Sequence, residues 1–332
     1  MEINTVPVIY VKAMLDSALR NGCDLATLLE KANIAPEILA ADKSRVPAES
    51  YSQLSREIID TLQDETHGFL GSPMRPGTFA MMGYACIHCP TLGQFLQRGL
   101  DFYHIVTDSL QLKLTVEDEI AHYALSHQGG ASDPNNVMPI SMLAIIHRLS
   151  SWIIGQNLKL HSVSFTHARP AHANEYNLLF KAPIQFDQPE NCLQFSTSYL
   201  EMPNTQTEQT LEEFLSIPSL NLMMIPDYQN SLVEKIRLMI KKDVETHFPD
   251  LEWVAEQLEL SSATLRRRLR TEGTSYQAIK DDIRRDTAIY YLSRGAFSIE
   301  QVAEKVGFTE ATSFYRAFKR WTGVTPRDYI KK

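Results

Sequence analysis

The sequence predicts an α+β domain followed by an all-α domain, in which two related two-helix units are joined by a long helix. Three observations carry that reading. Two-residue apolar alternation is confined to the stretch from about residue 110 to 195, a proline-containing polar stretch covers 201–229, and a helical pattern repeats beyond residue 250. The 332 residues give room for two domains with proper cores, at roughly 100–200 residues per domain.

In chain order, Val8, Val11, Met14, Leu15, Ala18 and Leu19 recur at helical spacing, and Asn21-Gly22 stops the run. Asp24 precedes a short second helix with Leu25, Leu28 and Leu29. Pro47 opens a third, with Tyr51, Leu54, Ile58, Ile59 and Leu62 on one side. The Gly/Pro/Met-rich passage from His67 to Pro90 predicts loop or irregular structure. Thr91 can cap a helix carrying Leu92, Phe95, Leu96, Leu100, Tyr103 and Val106.

Strand signals follow. Leu110, Leu112, Leu114 and Val116 alternate with Gln111, Lys113 and Thr115, and the run from Ile120 to Leu125 supplies a hairpin partner. Pro139 to Ile154 is apolar enough for a buried helix. Leu160, Val163 and Phe165 suggest a strand, Glu175 to Phe180 a short helix, and Ile184, Phe186, Leu193 and Phe195 a β-rich end. Residues 1–200 therefore form the expected α+β domain. Residues 201–229, with Pro203, Pro218 and Pro226 among Asn, Thr, Gln and Ser, form the expected linker, and 230–332 the helical domain.

Charge divides the chain at the same place. Residues 1–229 hold 13 basic and 25 acidic side chains, a balance of −12, whereas 230–332 hold 19 and 15, a balance of +4. Arg266, Arg267, Arg268 and Arg270 fall within five positions. An acidic body with a basic terminal domain suggests that the latter alone meets a polyanion, the competing explanation being a solvated helix face. No stretch approaches the roughly 20 apolar residues of a membrane span. The opening residues lack the basic segment and cleavage site of an export signal, and four cysteines are too few for a disulfide framework. A cytoplasmic protein is expected.

The repeat is the most informative feature. One unit reads Leu251, Val254-Ala255, Leu258, Leu260-Ser261, Leu265, Leu269 and Gly273. The other reads Ile299, Val302-Ala303, Val306, Phe308-Thr309, Phe314, Phe318 and Gly323. Val-Ala recurs 48 positions on and the later apolar pair 49 on, so one residue is inserted at the second turn. Ser298 with Gln301 forms a capping box, Gly307 suits a left-handed turn, and Ser261 and Thr309 can cap the second helices. Each unit, about 250–272 and about 298–322, is a helix-turn-helix, whose second helix enters the major groove of double-stranded DNA. A plain helical bundle is the competing reading.

With Leu265 and Leu269 inward, Ala263, Arg266 and Arg267 are the expected base readers of the first unit. With Phe314, Ala317, Phe318 and Trp321 inward, Thr312, Tyr315 and Arg316 are those of the second. Arginine can bridge guanine O6 and N7, and Ala or Thr methyls can pack on thymine. Arg270, Lys319 and Arg320 sit later and are expected on phosphates. The seventeen residues from Tyr276 to Leu292 give a connecting strut of about 26 Å, to be compared with roughly 34 Å between successive major grooves.

These residues resemble the AraC/XylS family of bacterial transcription regulators. The specific part is Ser298-Ile-Glu-Gln-Val-Ala-Glu-Lys-Val-Gly-Phe308, followed by Phe314-Tyr-Arg-Ala-Phe318-Lys-Arg-Trp-Thr-Gly323-Val-Thr-Pro326-Arg-Asp-Tyr329. One departure is Arg268-Leu269, where the family's first unit usually has a Phe after an apolar or small residue. The N-terminal part is similar to the effector domain of the ornithine-utilisation-regulator branch. Its matching elements are Gly83-Tyr84, Pro90-Thr91-Leu92-Gly93, Tyr176, Phe180, Pro183, Phe186, Leu193 and Phe195. The resemblance implies an α+β effector domain (arabinose-binding-domain-like), a small-molecule effector and RNA polymerase as partners, dimerisation to a homodimer, and activation rather than repression.

Other features add little chemistry. Cys86 and Cys89 have C-x-x-C spacing, but Cys23 and Cys192 have no paired spacing, and buried apolar-like cysteines are the commoner explanation. The histidines form no metal-binding spacing, and no phosphate loop or nucleophile elbow is present, so no cofactor, no metal and no enzymatic activity are implied. For an effector pocket, Arg75, Phe79 and Met82 combine a cation with apolar residues, and Tyr103 and His147 are expected to face the domain interior. A buried Arg75 would suit a carboxylate, whereas a surface arginine beside core methionines is the alternative. Two other function classes compete with a sequence-specific regulator: a non-specific architectural DNA binder, and a DNA-repair alkyltransferase fused to an AraC-like domain.

Overall fold

The computed structural model describes residues 5–127, 133, 136–216, 232–243 and 248–330. The chain forms two compact units that are discontinuous in sequence. One, the sheet unit, comprises Ile9–Ala32 and Ser52–Tyr228, and the other, the helical unit, comprises Met1–Val8, Asn33–Tyr51 and Gln229–Lys332. Seven strands are described in chain order: β1 (Thr5–Pro7), β2 (Arg45–Pro47), β3 (Leu110–Glu117), β4 (Ile120–His127), β5 (Leu160–Ser164), β6 (Ile184–Gln185) and β7 (Asn191–Ser196).

The sheet unit is built on a five-stranded sheet of order β3-β4-β7-β5-β6, antiparallel except for the β5–β6 pair. The β3–β4 hairpin turns at Asp118, whose φ of 53° is left-handed, and pairs Leu112 with Leu125. Helix Leu92–Val106 packs on β3, and Thr91 caps it by accepting from Gln94 N at 3.4 Å. Helix Val137–Ile153 packs on β4 and β7 and is apolar on nearly every side because it is covered on most of them. Beyond β5, Phe165 meets Tyr176, Phe180 and Phe186 at ring separations of 5.2 to 6.1 Å.

Three local expectations need correction. The passage from His67 to Pro90 contains a helix, Thr78–Cys86, entered through Gly77 at a φ of 98°. Its residues lack a polar stripe to mark the period, and Gly83 normally argues against a helix interior. Here Gly83 makes room for Leu211, whose Cδ1 would stand 3.1 Å from a Cβ at this position and would have to shift slightly. Second, the expected linker contains helix Glu208–Leu215, opened by a Thr207/Thr210 capping box. Leu211 fills the space beside Gly83, and Phe214 stacks on Trp152 at 4.6 Å, so this segment belongs to the sheet unit. Pro218 and Pro226 lie outside the described residues. Third, the first sixty residues are not purely helical, since β1 and β2 pair antiparallel through Val6 and Val46.

In the helical unit, helices Leu232–Asp243, Leu251–Gln257 and Ser262–Thr271 precede the connecting helix Tyr276–Arg294. Ile299–Lys305, Ala311–Thr322 and a 3-10 turn at Pro326–Tyr329 follow. The first core is largely aliphatic: Ile236, Ile240, Leu251, Val254, Leu265, Leu269, Ile279 and Ile283, with Phe248. The second is a chain of rings. Phe308 lies 5.7 Å from Phe314 and 5.9 Å from Trp321, Phe314 lies 5.5 Å from Phe318, and Phe318 lies 5.3 Å from Tyr329.

The strand pair docks on this second core. The Tyr329 hydroxyl donates to the Arg45 carbonyl at 2.8 Å, and the Ser44 hydroxyl donates to the Thr322 carbonyl at 3.0 Å. Asp286 accepts from the Thr5 hydroxyl at 2.7 Å and from Arg285 Nε at 2.9 Å, while Arg45 Nε donates to the same Thr5 oxygen at 2.7 Å. Burial alone would raise the Asp286 carboxyl pKa, but the Arg285 and Arg45 charges and these hydrogen bonds outweigh it, leaving the pKa below the ordinary value.

Candidate nucleic-acid interface

Helix Ser262–Thr271 starts where Ser261 accepts from Thr264 N at 3.2 Å. Leu265 and Leu269 are fully buried, which turns Ala263, Arg266, Arg267, Arg268 and Arg270 to solvent. Helix Ala311–Thr322 buries Phe314, Ala317, Phe318 and Thr322, leaving Thr312, Arg316, Lys319 and Arg320 exposed and Tyr315 half-buried. Thr309 was expected to cap this helix. The cap position is instead Glu310, and among the described residues no side-chain bond caps it, because the inserted residue of the second turn moves the hydroxyl one position too early.

The outward-facing residues form stripes of matching spacing, with Tyr315 half-buried in the second. Ala263, Arg266, Arg267 and Arg270 stand at i, i+3, i+4 and i+7, and Thr312, Tyr315, Arg316 and Lys319 repeat that spacing on the second helix. A stripe of this kind is what a helix lying in a major groove presents to base edges and flanking phosphates. Arg266 makes a 3.5 Å pair with Glu252 and Arg320 a 3.7 Å pair with Asp281, with both arginines about two-thirds exposed. Such surface pairs are worth about 0–1 kcal/mol and can yield to a phosphate or base. The connecting helix is longer than expected, 19 residues to Arg294, or about 28 Å.

The acids around the readers escaped the sequence reading. Asp286 had a detectable signal: it follows Ile279 and Ile283 on the buried stripe of its helix, where a carboxylate needs a partner.

In the sheet unit, the expected effector residues differ in exposure. Arg75 is exposed, so it does not supply the buried guanidinium that a carboxylate site required. Phe79 is half-buried and donates its N–H to Glu65 at 2.8 Å, while Met82 and Tyr103 are buried on the packed helices Thr78–Cys86 and Leu92–Val106. His147 is buried with Nε2 2.8 Å from the Leu158 carbonyl and its ring 6.5 Å from Phe180. Cys86 and Cys89 are free and buried, and burial pushes the Cys86 thiol up to about 12, opposite to an activated thiolate. Among the described residues no cluster of His, Cys, Asp and Glu could hold a metal ion, and no helix is long and apolar enough to cross a membrane.

Comparison with known proteins matches both parts of the chain. The N-terminal arabinose-binding domain of AraC transcription regulators matches residues 22–204, and a helix-turn-helix domain matches 254–332. The ornithine utilization regulator of Pseudomonas aeruginosa is 29% identical over 330 residues, 98% of this chain and 96% of that protein. A helix-turn-helix-type transcriptional regulator of Mycobacterium tuberculosis is 26% identical over 334 aligned positions, with the same coverage of each. The solved transcriptional regulator CdpR from Pseudomonas aeruginosa is 21% identical, covers 83% of this chain and 86% of that one, and superposes with a TM-score of 0.33.

Proposed function

We propose how this chain, which belongs to the AraC family of transcription regulators and is a helix-turn-helix regulator with an arabinose-binding-type N-terminal domain, engages DNA. Helices Ser262–Thr271 and Ala311–Thr322 enter successive major grooves. Ala263, Arg266 and Arg267 read bases in one, and Thr312, Tyr315 and Arg316 read bases in the other. Arg270, Lys319 and Arg320 hold phosphates. The single observation carrying this reading is the identically spaced outward stripe on the two helices, set by buried Leu265/Leu269 in one and Phe314/Phe318 in the other.

The N-terminal domain binds a small molecule and shifts the balance between silent and active arrangements of a cytoplasmic, homodimeric activator that contacts RNA polymerase. The relative named for ornithine utilization makes amino acids and related carboxylates the first effectors to test. Footprinting of full-length protein on genomic fragments tests the DNA reading. Discrete protection of about two helical turns, roughly 20 base pairs, is expected, and it disappears when Arg267 and Arg316 are both changed to Ala. Equal protection of any duplex at moderate salt would favour an architectural DNA binder instead.

A further inference from the structure

We infer that Arg284 locks the two helix-turn-helix pairs at one separation and angle, and so sets the spacing of half-contacts that the protein accepts on DNA. The inference rests on both pairs meeting DNA.

Tyr276, Lys280 and Arg284 lie at i, i+4 and i+8 on the connecting helix, a polar row flanking its buried Ile279 and Ile283. The first two hold the segment that leads into the first pair. The Tyr276 hydroxyl donates to the Pro249 carbonyl at 2.6 Å, and Lys280 Nζ reaches the same oxygen at 3.5 Å. Arg284 reaches both pairs. Its guanidinium carbon lies 4.6 Å from the ring centre of Phe248, a member of the first core, and 5.1 Å from that of Phe308, in the turn of the second. Its Nη2 donates to the Gly307 carbonyl at 3.3 Å. The junction is close-packed, since Gly307, at a φ of +78°, would bring a Cβ to 2.9 Å from Phe248.

A flat guanidinium can stack on two rings and donate in its own plane at once, and an ammonium cannot. Arg284 lies outside both reader stripes, so it acts on DNA through the placement of those stripes. It is a positioning residue.

The test is selection of bound duplexes from a random-sequence library by full-length native protein, Arg284→Leu and Arg284→Lys, with circular dichroism to establish folding. Native protein is expected to select two half-motifs at one spacing and to lose at least tenfold in affinity when one base pair is inserted between them. Arg284→Leu should select the same half-motifs at several spacings, bind the native spacing about tenfold more weakly, and lose most of the insertion penalty. Arg284→Lys should fall between, and it carries the test if the Leu variant does not fold. A folded variant that keeps one spacing and the full insertion penalty overturns the inference. Native protein that selects a single half-motif overturns the two-reader reading itself, and the lock with it.

Discussion

The two helix-turn-helix pairs share a register and almost nothing else. Their reader stripes are offset by 49 positions throughout, so Arg266 corresponds to Tyr315, Arg267 to Arg316 and Arg270 to Lys319. The first pair has a mainly aliphatic core, turns through Glu259 at a φ of 54°, and offers four arginines in five positions. The second has an aromatic core, turns through Gly307, offers Arg316, Lys319 and Arg320 with a threonine and a tyrosine, and is braced by Ser44, Arg45 and Thr5 from the N-terminal segment. Concentrated guanidinium charge is suited to phosphates and guanine, whereas in the proposed readout Thr312, Tyr315 and Arg316 would offer three different chemistries to base edges. The difference teaches that the duplicated geometry is kept by the apolar spacing alone, while core chemistry, bracing and readout vary independently on it.

The largest expected effect tests the bracing. Asp286 and Arg285 have side chains only 13% and 17% exposed, and Asp286→Ala removes the carboxylate that joins Arg285 to Thr5 and lies near Arg45, leaving Arg285 with Asp282 at 2.8 Å. Hydrogen bonds to a charged group are worth about 1.5–3 kcal/mol, and Arg285 keeps a second carboxylate, so denaturant unfolding of the full chain should shift by about 3 kcal/mol at neutral pH. The pH dependence has a fixed sign. The folded carboxyl pKa lies below its unfolded value of about 3.9, so its stabilisation is fully present above that value and is lost as pH falls through the folded pKa. The gap between native protein and Asp286→Ala should therefore close in acid. A gap that is small at pH 7, or unchanged as acid is added, would show that the second pair stands without its brace.

A middle-sized effect separates the readout of the two pairs. Arg316→Ala should cost about 1–3 kcal/mol on the preferred duplex and relax preference at one base pair. Arg270→Ala should weaken all duplexes alike and lower the slope of log affinity against log salt by about one. Titrations over a salt series with single-base variants distinguish them. Uniform weakening by Arg316→Ala would place that residue on phosphate and remove the contrast with the first pair.

The features legible in the sequence are local ones. Asp24, Thr91, Ser261 and Ser298 cap helices as their spacing implies, because a cap is decided within four residues. The exposed reader stripes followed from Leu265/Leu269 and Phe314/Phe318 for the same reason. What escaped depends on residues far apart in the chain. Helix Thr78–Cys86 is recognisable only once Leu211 is seen to occupy the space beside Gly83. The contact of Arg45 with Tyr329 joins positions 284 apart, and no periodicity marks it. Arg75 shows the limit of sequence proximity, since of the two readings open for a cation beside apolar residues the fold has the exposed one.

The smallest effect concerns the start of the reader helices, where the inserted residue changes the cap. Ser261 caps its helix through Thr264 N at 3.2 Å, whereas Glu310 makes no side-chain cap bond and its carboxylate instead accepts from the Thr312 hydroxyl at 3.4 Å. Ser261→Ala should cost about 1 kcal/mol, and Glu310→Ser should gain up to about that much by satisfying an N–H of the first turn. The second substitution has a further consequence at the interface. In the proposed complex it removes a negative charge from near the DNA backbone and frees the Thr312 hydroxyl, so tighter DNA binding, most marked at low salt, should accompany the higher melting temperature. If Glu310→Ser leaves both unchanged, the first-turn N–H groups are already satisfied by solvent. The two reader helices would then be energetically alike at their starts, despite the extra residue.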